Sequence, residues 1–174
     1  MKLLEPSEVD DGARTEASRV LGGLPSCVAV VTATVATGPV GSAGHPVTAV
    51  SADPPLVAFF APARAATVAA ARESGRFAVN VLAADQGAVY DRFTRAAAFD
   101  PVHWEPGAPP RLRRALAVLT CDLEAVTPAG GRVLVLGRVR HVAGRRADPL
   151  IASRGALHGL AHTAPDHPHY RTVP

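Results

Sequence analysis

Aromatic residues and cysteines are scarce in this chain of 174 residues. Phe, Trp and Tyr together make up 5%, so Ala, Val and Leu must fill most of the core. Hydrophobic residues still amount to 48%, which excludes a disordered chain, and the length fits one domain. The two cysteines, Cys27 and Cys121, each lie in an apolar strand-like run. This position predicts buried, reduced thiols rather than a disulfide.

Long apolar runs and dense patches of positive charge are also missing. No run approaches the roughly 18 residues that span a membrane, so no membrane association is expected. Acidic residues interrupt positions 1–25, which lack a signal-peptide pattern, and the predicted location is the cytoplasm. The net charge is only +3 and the arginines are scattered, which argues against nucleic-acid binding. The glycines of 38–44 lack the spacing of a dinucleotide-binding loop, which excludes a Rossmann domain.

Residues 47–82 hold the most informative pattern, two apolar strand-type runs joined by one Ala-rich helix. The first run follows two prolines at 54–55, which do not donate to a sheet ladder and therefore predict a turn before the strand. The helix is predicted over Thr67–Ser74, with Thr67 as its N-cap and Gly75 ending it. Arg64 lies just before this helix. Because a helix N-terminus beside a cation attracts anions, the segment predicts a phosphate site.

Secondary structure elsewhere follows from apolar periodicity and from the positions of Gly and Pro. The predicted elements are a helix at 13–21, a strand at 28–34, a turn and irregular extended segment at 36–46, strands at 56–60 and 77–82, a helix at 83–98, a Pro-rich loop at 99–111, and a hairpin of strands at 115–126 and 132–143. Short strands with few helices predict a mainly β protein with peripheral helices, arranged as a barrel. The domain is predicted at 13–160, between a flexible segment at 1–12 and a polar tail at 161–174.

The order of several motifs resembles the flavin reductase-like family. The run S-A-D-P-P-L-V at 51–57, the helix that follows it and S-G-R-F-A-V-N-V-L at 74–82 carry most of the likeness. Further similar motifs follow the same order, at 24–32, 119–123, 130–139 and 149–155. The resemblance implies an FMN-binding split β-barrel, antiparallel and Greek-key-like, with roughly six or seven strands and assembled as a homodimer.

The same resemblance implies an NAD(P)H-dependent flavin reductase. It would use FMN or FAD with NAD(P)H as co-substrate, and the resemblance also implies a monooxygenase partner. The family pattern G-M-T-x-[NS]-S-x-x-S-V-S aligns with residues 41–51, and three polar positions of that pattern are replaced here by Ala43, His45 and Pro46. The implied cofactor-binding residues are Ala43, Gly44, His45, Pro46, Thr48, Ser51, Arg64, Ala65 and Thr67.

Catalytic and substrate-binding candidates are fewer. His45 is either a hydrogen-bond or proton donor facing the flavin or a semi-exposed strand residue. Arg132 stands where the family's G-D-H hairpin has His, and it would bind an acidic substrate or a pyrophosphate, or it is an exposed strand-start residue. His158 is a further substrate-binding candidate. His158 and His162 would share a helix face, yet no carboxylate or Cys completes a ligand set, and no metal site is expected.

Two other functions remain open from the sequence. The first is a divergent split barrel that has lost flavin and catalyses a cofactor-independent reaction on a small organic molecule, or simply binds it, with His45 and Arg132 as polar groups. The second is a non-catalytic partner subunit that keeps only the fold. The replaced family positions are the reason for keeping both, namely Ala43, His45, Pro46, Ala65 and Gly131.

Overall fold

The computed structural model describes residues 11–44, 46–94, 104–105 and 107–160. Counted along the chain, the strands are β1 Ser26–Cys27, β2 Ala29–Val35, β3 Gly38–Ala43, β4 Val47–Ala52, β5 Pro55–Pro62, β6 Arg76–Val81, β7 Trp104–Glu105, β8 Arg111–Leu112, β9 Ala117–Ala129, β10 Arg132–Gly144, β11 Ile151–Ser153 and β12 Ala156–His158. The helices are α1 Asp11–Gly22, α2 Ala66–Ser74 and α3 Gly87–Thr94, with a short 3-10 helix at Ala84–Gln86. The mainly β composition predicted from the sequence is confirmed.

The largest sheet has seven strands in the order β3-β2-β6-β9-β10-β5-β4, with antiparallel neighbours throughout. Its two edge strands, β3 and β4, are consecutive in the chain. Side chains from both edges join the same buried cluster as those of the central strands. Members of this cluster include Val31, Val40, Val47, Phe59, Phe77 and Val135. A flat sheet would keep its edges apart, so the sheet is curled into a barrel around one core, as predicted.

Helix α2 contributes to the barrel core. Its residues Val68, Ala70 and Ala71 are buried in the same cluster, and Gly75 ends the helix in the left-handed conformation with φ of 70°, as the sequence predicts. The predicted start is wrong by one residue. The N-cap is Ala65 and not Thr67, because the Thr67 side chain is buried and bonded elsewhere in the molecule.

A second apolar cluster lies on the outer face of the barrel. It includes Leu82, Leu112 and Leu150, with Tyr90, Phe93 and Trp104 packed against it. Buried Asn80 organises this side, since its side chain donates to the Val30 carbonyl (3.0 Å) and accepts from the Leu112 amide (2.8 Å). The cluster therefore fixes α3 and the segment 104–115 against the barrel.

Three predicted elements differ from the structure, one of them the loop predicted at 99–111, which holds β7 paired with β8. Residues 38–43 form strand β3 rather than an irregular segment, and Pro39 is tolerated because β3 is an edge strand. The helix predicted at 83–98 divides into the 3-10 turn and α3, which ends at Thr94, while 95–98 lie outside the described residues. The hairpin of β9 and β10 is confirmed, with a turn at Gly130-Gly131.

Candidate functional site

The N-terminus of α2 has no side-chain cap, because its N-cap residue is Ala65. The amides of Val68 and Ala69 bond to the Ala65 carbonyl, at 3.0 and 3.2 Å. The amides of Ala66 and Thr67 precede these bonds, and helix geometry leaves such N–H groups without an intrahelical acceptor. They carry the positive end of the helix dipole. The arrangement suits an anion.

Two arginines flank this helix end. Arg64 lies in the turn that enters α2, and Arg132 opens β10 opposite Pro62, two residues before Arg64. Both are exposed, and neither pairs with a carboxylate of the described residues. By contrast, Arg138 and Arg140 in the same strand do pair with acidic residues of β9. The two flanking charges therefore remain available to an anionic ligand.

A hydrogen bond connects α2 to strand β3. The hydroxyl oxygens of Ser42 and Thr67 lie 2.9 Å apart, and Thr67 is 1% exposed. Thr67 is thus a predicted site residue whose hydroxyl is already engaged within the protein, and only its backbone amide is directed to the helix end. Ser42 was not among the predicted site residues. The pattern at 41–51 has Met at this position, and the partner of Ser42 is 25 residues away, so the sequence gave no signal for it.

The segment predicted to face the cofactor begins at the end of β3. Ala43 is half-buried against the outer cluster, and Gly44 has φ of 84° and donates its amide to the Ala29 carbonyl (3.2 Å). His45 lies outside the described residues. Pro46 is exposed and has no amide hydrogen to offer a ligand. The described residues of this segment, Ala43, Gly44 and Pro46, thus offer only backbone and small apolar groups.

The two predicted polar site residues of β4, Thr48 and Ser51, differ in their exposure. Thr48 is exposed, and its hydroxyl donates only to the neighbouring Ala49 carbonyl (3.3 Å). Ser51 is half-buried, next to a bulge between Ala49 and Ser51. Both lie on the edge strand that follows the cofactor-facing segment, so a ligand lying along 43–51 would pass beside them.

His158 is separate from the barrel sheet. It ends β12 and pairs with Ile151 in a three-stranded sheet of β1, β11 and β12. His158 lies in a strand, so it does not share a helix face with His162, which lies outside the described residues. Within the described ranges no group of three metal-ligating side chains is close enough to hold an ion.

Cys121 is a poor nucleophile. Both cysteines are free, with Cys121 buried and Cys27 half-buried. Burial, with a smaller contribution from the charge of Asp122, raises the pKa of the Cys121 thiol to about 12. The thiolate is therefore scarce near neutral pH, which argues against Cys121 as a nucleophile.

Comparison with known proteins gives the family. The model of the flavin reductase like domain matches residues 21–161. The chain belongs to the flavin reductase-like family. Within the part of the chain that the structure describes, no helix is long and apolar enough to cross a membrane.

Relatives and solved structures agree with this membership. The FMN reductase (NADH) SmoA of Agrobacterium fabrum is 39% identical over 141 residues, which cover 79% of this chain and 80% of that protein. The reductase subunit HsaB of a flavin-dependent monooxygenase from Rhodococcus jostii is 34% identical over 146 residues, covering 81% and 75%. The NADH:FAD oxidoreductase SgcE6 of Streptomyces globisporus C-1027, solved in complex with NAD and FAD fragments, superposes with a TM-score of 0.79 at 28% identity, covering 95% of this chain and 100% of that one. The split-barrel fold predicted from the sequence is confirmed.

Proposed function

We propose that this protein is an NAD(P)H-dependent flavin reductase that supplies reduced flavin to a monooxygenase partner. The uncapped N-terminus of α2, flanked by Arg64 and Arg132, carries the proposal. Backbone amides at a helix end and unpaired guanidinium groups are the donors that a phosphate requires. This donor set fits the phosphate of FMN or the pyrophosphate of FAD, and membership of the family supports the same conclusion.

The residues of the chain bind and orient the cofactor. The amides of Ala66 and Thr67 donate to the phosphate, and Arg64 adds a charge-assisted contact. The bond from Thr67 to Ser42 fixes the helix end relative to β3, and thereby relative to the segment that would lie along the flavin ring. A bound flavin supplies the hydride chemistry, so the protein needs no nucleophile.

Arg132 and His45 have different roles in this proposal. Arg132 retains its proton near neutral pH, so it acts by charge and binds the phosphates of the flavin or of NAD(P)H. His45 is proposed to contact the flavin without transferring a proton, on the ground of its position in the 41–51 pattern alone. The remaining predicted contacts, Ala43, Pro46, Thr48, Ser51 and Ala65, contribute backbone groups, hydroxyls and close packing.

The proposed assembly is a cytoplasmic homodimer. Strand β4 is an edge of the barrel sheet, and Val50 on it is 51% exposed. Phe60, on the neighbouring strand β5, is 38% exposed. An uncovered edge with apolar side chains favours pairing with a second copy about a two-fold axis. Light scattering should give a mass of about twice 17.9 kDa, and a monomer at micromolar concentration would contradict this part.

The decisive experiment is a flavin titration of the purified chain. FMN and FAD are added separately while flavin fluorescence is followed, and NADH or NADPH oxidation is then measured with each flavin. Binding of at least one flavin together with accelerated oxidation of a nicotinamide supports the reductase. A chain that neither binds flavin nor accelerates oxidation would instead be a flavin-free barrel, with His45 and Arg132 as its first polar candidates.

A further inference from the structure

Tyr90 of helix α3 lies against the cofactor-facing segment. A Cβ built on Gly44 would lie 3.8 Å from the Tyr90 hydroxyl oxygen and 3.9 Å from its Cε2 carbon. Gly44 also has φ of 84°, a conformation that residues with a side chain rarely adopt. The absence of a side chain at position 44 therefore leaves the end of β3 open to the edge of the tyrosine ring.

The hydroxyl of Tyr90 is available. It makes no hydrogen bond to any of the described residues, although the ring is half-buried. A phenol hydroxyl both donates and accepts hydrogen bonds. When it lies beside an apolar cluster, a hydrogen bond to a polar partner stabilises it. The neighbouring hydroxyl of Ser42 does not serve this purpose, because it already bonds to Thr67.

The ring is held in place by the outer cluster. Val89 and Phe93, on the same helix, pack with Tyr90 against the barrel. Phe93 meets Trp104 edge to face, with ring centroids 5.9 Å apart. A side chain fixed by its neighbours loses little further entropy when it binds a ligand, so the hydroxyl is preorganised.

We infer that the Tyr90 hydroxyl binds the polar edge of the flavin ring. It supplies, from α3, a side-chain hydrogen-bonding group at a segment where the side chains of Ala43 and Pro46 have none. Tyr90 is thus a positioning residue for the isoalloxazine, at the opposite end of the cofactor from Arg64. This inference rests on the proposed flavin reductase function. The nitrogens and carbonyl oxygens of the flavin ring are the acceptors such a hydroxyl would use, and contacts to them also tune its electronics.

The test compares Tyr90→Phe with the wild-type chain, using riboflavin and FMN as probes. Thr94→Val is the matched control, since it removes a hydroxyl from the same helix that bonds only to carbonyls of that helix. Tyr90→Phe should lower the affinity for riboflavin and for FMN equally, by about 3- to 10-fold, because the lost bond is to the ring and not to the phosphate. The absorption spectrum of bound flavin should also shift, while thermal unfolding and the control variant remain as wild type.

The outcomes separate the two claims. Suppose that the wild-type chain binds flavin and that Tyr90→Phe has the same riboflavin affinity and the same spectrum of bound flavin. This result would overturn the role of Tyr90 and leave the proposed reductase function standing. A loss confined to FMN would also overturn it, because the contact would then involve the phosphate. A wild-type chain that binds neither flavin would overturn the proposed function and this inference together.

Discussion

The hydroxyl oxygens of Ser42 and Thr67 lie 2.9 Å apart and join the end of strand β3 to the first turn of helix α2. Each belongs to one half of the proposed cofactor site, since β3 leads into the ring-facing segment and α2 presents the phosphate-binding amides. The distance between the two halves is thus set by a side-chain hydrogen bond in addition to backbone packing. A cofactor that spans both halves depends on this geometry.

Thr67→Val should therefore reduce both stability and flavin affinity. The substitution keeps the shape of the side chain and removes the hydrogen bond between Thr67 and Ser42, at a cost of about 1–2 kcal/mol in the free energy of unfolding. Urea denaturation measures this change. A double-mutant cycle with Ser42→Ala should give a coupling energy above about 0.5 kcal/mol, and additive effects would show that the bond is unimportant. Thr37→Val, in an exposed turn, is the control and should change stability by less than about 0.5 kcal/mol.

Arg64→Ala should weaken FMN binding by about 1.5–3 kcal/mol, because a charge-assisted contact to the phosphate is lost. Riboflavin has no phosphate, so its affinity should not change. Arg72→Ala is the matched control, since Arg72 is exposed on the same helix but lies in its last turn. Titrations at low and high salt add a second readout, because screening weakens the wild-type affinity for FMN more than that of the variant. If Arg64→Ala lowers the affinities for FMN and riboflavin equally, Arg64 does not contact the phosphate.

Gly137→Ala should destabilise the barrel. A Cβ at this position would lie 2.8 Å from Cε1 of Phe77 and 3.0 Å from the Cβ of Cys121, so the ring of Phe77 must move. That ring also packs edge to face on Phe59, at 5.4 Å between centroids. Overpacking of this kind costs about 1–3 kcal/mol in the free energy of unfolding.

Two further variants test the cause of that loss. Phe77→Leu combined with Gly137→Ala should cost less than the sum of the single changes, because the shorter side chain makes room for the methyl group. Gly87→Ala should be neutral or stabilising, since α3 offers open space there and helical backbone angles. If Gly137→Ala is as stable as the wild type, the Phe77 ring can move aside without loss of stability, and the prediction is wrong.

Much of the fold could be predicted because its signals are local. The turn before β5, which lies at 53–54, the helix stop at Gly75 and the long hairpin of β9 and β10 each depend on residues close in sequence, and each is present. Strand β3 was not predicted because its glycines and Pro39 are residues that usually interrupt a strand. They are tolerated because β3 lies at the edge of the sheet. The predicted N-cap at Thr67 is wrong because its hydroxyl is hydrogen-bonded to Ser42, 25 residues away in the sequence. The contact of Tyr90 with Gly44 is equally non-local, so periodicity gave no sign of it.

His45→Asn separates a flavin reductase from a barrel recruited to another reaction. His45 stands at the position where the family pattern has Asn or Ser, so the substitution approaches the pattern that this chain resembles. In a reductase the hydride passes between two bound rings and His45 only shapes the pocket, so NAD(P)H oxidation with added flavin should be retained or raised. If His45 instead transfers a proton in another reaction, its loss should lower the rate by about 10²- to 10⁴-fold. Steady-state kinetics with kcat and KM measured separately distinguish the cases, because a change in pocket shape moves KM and loss of a proton donor moves kcat. A large fall in kcat with flavin affinity unchanged would contradict the role proposed for His45 here.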